Sequence, residues 1–100
     1  MTTTTSTANR FLGSYEFDGD PDELIAGYDR LTAQFPEDVI LLQTVIRRDG
    51  GITVYDACPD QPTFADFSTS EMFAKALAEA GLPEPRVTQL GEIHKAVLQP

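Results

Sequence analysis

Residues 39–57, VILLQTVIRRDGGITVYDA, decide the fold. Ile40, Leu42 and Ile46 share one parity and Val39, Leu41 and Val45 the other, so a strand here is apolar on both sides and both faces are expected to be buried. Asp49 and Gly50 tolerate positive φ, which makes RDGG a tight turn. ITVYDA then returns as the second arm of an antiparallel hairpin.

Outward from the hairpin, the periods change. Phe11, Tyr15 and Phe17 alternate with Leu12, Ser14 and Glu16, the spacing of a strand with one oily face. DGDPDEL follows: Asp20 suits an N-cap, Pro21 the first helical position and Glu23 the third position of a capping box. Leu24, Ile25, Tyr28, Leu31 and Phe35 recur at three- and four-residue steps, predicting a helix to about Gln34 that Pro36 closes. Beyond the hairpin, CPDQP is a loop and a short extra turn is expected at 63–67. Ser70 caps a helix to about Ala80, stopped by Gly81 and Pro83. A last strand is expected over about 86–98, long enough to run past its own sheet.

The order β-α-β-β-α-β defines an α+β, ferredoxin-like domain: a four-stranded antiparallel sheet with both helices on one face. The bare face needs a cover, and a second copy of the chain supplies one, so a homodimer is expected. One hundred residues suffice for one domain, over residues 10–100. Residues 1–9, MTTTTSTAN, are too polar to offset the entropy of ordering and are expected to form a disordered tail.

A net charge of -9 repels phosphate backbones and anionic lipid surfaces, so neither nucleic acid nor membrane is an expected partner. No apolar run approaches the ~20 residues that a bilayer requires. The single cysteine, Cys58, allows no disulfide within the chain and no multi-thiolate zinc site, which fits a cytoplasmic protein. No nucleotide, metal-protease, serine-hydrolase or calcium pattern occurs, so no metal or other cofactor is expected.

With VIRRDGGITVYDA (45–57) and FADFSTSEMFAKAL (64–77) in this order of elements, the chain resembles the dimeric α/β-barrel superfamily over about residues 10–98. That superfamily includes antibiotic-biosynthesis monooxygenases, stress-responsive barrel proteins and polyketide cyclases. The resemblance implies paired sheets and a cavity between sheet and helices for a small apolar, aromatic or polyketide-like ligand. It also implies one of two functions. The chain is a cofactor-independent cyclase, isomerase or monooxygenase-like enzyme, or it is a non-catalytic dimeric ligand-binding or stress-associated module. The Trp and His that many relatives carry near the third strand and second helix are missing: the chain has no Trp, and Cys58 stands near the first of those positions.

The candidate site residues follow from chemistry and parity. His94, the only histidine, is either a general acid or base or a strand residue satisfied by a neighbour. Glu92 shares its parity and could orient it. Tyr55 and Tyr15 offer phenols to a ligand carbonyl, whereas Tyr28 falls on the core face of its helix. Asp56, of opposite parity to Tyr55, sits near the end of an apolar strand where burial would raise its pKa. Gln43 interrupts the face of Val39, Leu41 and Val45 and requires a partner, either a ligand or its counterpart in a second copy. Phe67 and Phe73 either contact a ligand or fill the cavity.

Overall fold

The computed structural model describes residues 4–6, 10–35 and 42–98. A short strand, β1 (Thr4–Ser6), precedes β2 (Phe11–Asp18), α1 (Pro21–Thr32), β3 (Leu42–Arg48), β4 (Gly51–Cys58), α2 (Gln61–Ser68), α3 (Glu71–Glu79), β5 (Arg86–Glu92) and β6 (Ala96–Leu98). Strands β3-β4-β2-β5 form an antiparallel sheet in that order, the ferredoxin-like arrangement.

The helix starts are fixed by the side chains that their sequences offer. Asp20 accepts from the Glu23 amide at 3.0 Å and Pro21 opens α1. Asp60 accepts from the amide (2.9 Å) and hydroxyl (2.6 Å) of Thr63, and Ser70 Oγ accepts from the Phe73 amide at 3.1 Å. At the far end of α3, Gly81 takes φ +78°, the Leu82 amide donates to the Leu77 carbonyl, and the Arg30 guanidinium of α1 donates to the Ala80 carbonyl at 2.8 Å. That contact ties α1 to the end of α3.

The core lies between the sheet and the helices. Phe11, Tyr15 and Phe17 of β2 and Ile52, Val54 and Cys58 of β4 face Leu24, Tyr28 and Leu31 of α1, Phe64 of α2 and Phe73, Ala76 and Leu77 of α3. Gly13 has no side chain because the Phe64 ring occupies that place.

Several expectations are corrected. Helix α1 ends at Thr32, and residues 33–35 continue as a turn. The short turn expected at 63–67 is a full helix, α2, because Asp60 caps it. The last strand is not continuous over 86–98. A register shift against Leu12 and Gly13, with Gly91 at φ +147°, bends the chain, and residues 93–95 leave the sheet before β6. Within the expected tail, Thr4–Ser6 forms a strand antiparallel to Ala96–Leu98.

The burial of both faces expected of residues 39–46 is not reached by the described residues within one chain. In the single chain Leu42, Val45 and Ile46 remain 39%, 40% and 43% exposed, because β3 is an edge strand. Val39, Ile40 and Leu41 lie outside the described residues. Among the described residues no helix is long and apolar enough to cross a membrane.

Candidate functional site

Between the covered face of the sheet and the three helices is a cavity of about 120 Å³. Its walls are Tyr15 of β2, Gln43 of β3, Asp56 and Cys58 of β4, Tyr28, Leu31 and Thr32 of α1, the following Phe35, Thr63 and Phe67 of α2, and Phe73 of α3. Side chains two residues apart on a strand share a face, so Tyr15, Gln43 and Asp56 point the same way as the buried Phe17, Val54 and Cys58.

One end of the cavity is aromatic. Phe35 meets Phe67 edge-on at 5.6 Å, Phe67 meets Phe73 at 4.8 Å, and Phe73 meets Tyr15 at 5.3 Å between ring centroids. Such tilted pairs hold one another in place and present flat apolar walls.

The other end is polar, and the sheet register builds it. Asp56 lies directly opposite Gly13 on β2 and Gln43 on β3. On one side it therefore meets a glycine roofed by the Phe64 ring, and on the other an amide. The Gln43 side chain lines the cavity with Tyr28, whose phenol is pushed upward first by burial and then by Asp56, with Gln43 acting in the opposite sense. Asp56 is 7% exposed, and burial pushes its carboxyl up to about 6. Tyr15 is 2% exposed, and its hydroxyl has no hydrogen-bond partner among the described residues. Burial first, and then the charge of Asp56, holds that phenol far above its ordinary pKa, so it stays a donor. Burial and the same carboxylate raise the Cys58 thiol to about 11, which makes it a wall and not a nucleophile.

Tyr15, Gln43, Asp56, Phe67 and Phe73 thus stand around one space. His94, Glu92 and Tyr55 do not. His94 is exposed in the bend after β5, off the strand on which it was expected to share a face with Glu92. Glu92 is exposed at the end of β5, opposite Phe11. Tyr55 lies on the uncovered face, opposite Ser14 and Thr44. Sequence reasoning placed Tyr28 in the core and missed that it also lines the cavity with Gln43. The signal was the amide of Gln43, on an apolar parity with no local partner. No His, Cys, Asp and Glu cluster able to hold a metal ion occurs among the described residues.

The fold is ferredoxin-like, with a cavity under its sheet. The chain is similar in structure to SnoaB, a cofactor-independent oxygenase from Streptomyces nogalater. The two agree with a TM-score of 0.55 and 16% identity over 93% of this chain and 94% of that one. A point mutant of the same oxygenase gives a TM-score of 0.53 and 13% identity over 95% and 94%. At these identities the likeness is one of fold. No protein-family model and no curated protein matches the chain.

Proposed function

We propose that this chain is a small-molecule-binding protein of the dimeric α/β-barrel kind, enzyme-like in its site, with the cavity under the sheet taking a small aromatic or polyketide-like ligand. The observation that carries the reading is the aromatic-walled cavity that ends in a Tyr15 hydroxyl, unpartnered among the described residues, beside the buried Asp56. A buried donor without an acceptor costs about 1–3 kcal/mol, a cost that a ligand oxygen would remove. The fold shared with a cofactor-independent oxygenase supports the same reading. About 120 Å³ is on the scale of a single ring, and a bicyclic or larger ligand requires the walls to part.

The unit is a homodimer in this reading, each copy covering the other's open sheet face, where Leu42, Ile46, Tyr55 and Leu90 are exposed. The compartment is cytoplasmic, in keeping with a single buried thiol. A second reading, a binding module without turnover, draws on the distance of His94 and Tyr55 from the cavity. Calorimetric titration with 2-naphthol tests the binding function common to both. Saturable binding at one site per chain is expected, and no heat of binding up to millimolar ligand would contradict it.

A further inference from the structure

We propose that Asp56 and Tyr15 form a proton-transfer pair for an uncharged carbonyl compound bearing a weakly acidic hydrogen on the carbon next to the carbonyl. This rests on the cavity being the ligand site and adds to it the substrate class and the reaction.

Three features of the geometry lead to it. First, Tyr15 and Asp56 project from adjacent strands on one face, offset by two residues along the register, since Asp56 faces Gly13 and Tyr15 faces Val54. Diagonal neighbours of this kind stand roughly 7–8 Å apart at the backbone. That leaves space for one small group between a carboxylate and a phenol that do not bond to each other. Second, the two groups are complementary in what they lack: a carboxylate accepts and a phenol hydroxyl donates. A ligand that offers an acidic hydrogen to the first and an oxygen to the second satisfies both. Third, among the described wall residues there is no Lys or Arg to neutralise an anionic ligand, and Asp56 would repel one. The ligand is therefore uncharged.

The chemistry balances without a co-reactant. The Asp56 carboxylate takes the hydrogen as a proton and the C–H bond breaks. Its electron pair becomes the new C=C bond as the carbonyl π pair moves to oxygen. The enolate oxygen forms where the Tyr15 hydroxyl donates, so the developing charge is met by a donor already in place. Return of the proton to carbon regenerates the ketone, and delivery to oxygen releases the enol. Phe35, Phe67 and Phe73 give the site an apolar wall, and burial keeps the Asp56 carboxylate poorly solvated.

The titratable groups that face Asp56 are Tyr15 from β2, Tyr28 from α1 and Cys58 from its own strand, and all three are pushed upward by burial. They remain neutral at pH 6, while α2 and α3 present Thr63, Phe67 and Phe73, which do not titrate. Asp56 therefore sets the pH profile by itself.

The probe is 2-indanone, a planar bicyclic ketone with hydrogens next to its carbonyl. Its binding is measured by calorimetry, and the replacement of those hydrogens by deuterium in heavy water by proton NMR. Exchange faster than in buffer is expected, rising as pH passes about 6 and then levelling. Asp56→Asn is expected to keep binding and lose ~10²-fold or more of the acceleration. Tyr15→Phe, a second variant that keeps the ring packing, should also slow exchange, by ~10²-fold. Binding without acceleration, or acceleration unchanged in Asp56→Asn, would overturn the proton-transfer pair and leave the cavity reading intact. Failure of 2-indanone to bind would overturn both.

Discussion

The Phe64 ring of α2 points its tip onto Gly13 of β2, where any side chain would overlap it. This contact lets α2 sit close to the sheet, and it removes from β2 the side chain that would otherwise stand next to Asp56. Gly13→Ala should therefore be destabilising by roughly 1–3 kcal/mol through overpacking, since Gly13 has no positive φ that would add backbone strain. Urea unfolding checks it, and a variant as stable as the parent would show that Phe64 moves aside freely.

Asp56 carries a stability signature of its own. Its pKa is raised in the folded state, from an ordinary 3.8 to about 6, so folding is favoured with the proton on. That contribution is complete below about pH 4 and is lost as pH rises through 6. Asp56→Asn does not titrate. Its stability relative to the parent should rise by on the order of 3 kcal/mol between pH 3 and pH 8, at ~1.4 kcal/mol per pKa unit. Unfolding curves at the two pH values measure this difference, in which any fixed cost of the buried amide cancels. A flat difference would place the carboxyl in solvent.

Asp18 behaves in the opposite sense. Arg86 of β5 pairs with it, and Arg48 of β3 reaches it at 3.0 Å, so one carboxylate at the end of β2 links both edge strands to the middle of the sheet. The hydrogen bonds from Arg86 and then Arg48 lower its pKa to about 2. The stabilisation is present above the unfolded value near 3.8 and is lost as pH falls through 2. Asp18→Asn should be less stable than the parent at pH 7, and the gap should close toward pH 2. Because these groups are exposed, salt should shrink the gap as well. Thermal melts across that range test both statements.

The capped helices and the hairpin were legible in the sequence because their causes are local. Asp20 and Glu23, Ser70 and Phe73, and Asp49 and Gly50 act within three residues of one another. The irregularity within β5 was not legible, since it is a register shift against Leu12 and Gly13, nearly eighty residues earlier. The same holds for β1, whose partner β6 lies at the other end of the chain. Parity put Tyr15, Gln43 and Asp56 among the candidates, but the cavity requires knowing that Gly13 and Gln43 flank Asp56, which only the strand order supplies. His94 drew attention as the only histidine, but it sits exposed in a bend and is not part of the cavity wall.

The open face of the sheet gives an association prediction. Ile46→Lys should weaken a homodimer, because a charge would be desolvated between the two faces without a partner. Sedimentation equilibrium at micromolar concentration should give twice the 11.0 kDa chain for the parent and a lower mass for the variant. A parent that remains at 11.0 kDa would remove the paired-sheet reading.

The central claim is that the space under the sheet, and not its open face, receives the ligand. Intermolecular nuclear Overhauser effects between bound 2-indanone and the protein test it most directly. The account predicts contacts from the ligand hydrogens to the rings of Phe67, Phe73 and Tyr15, which line the cavity. Contacts confined to Leu42, Ile46 and Tyr55 on the open face would contradict it.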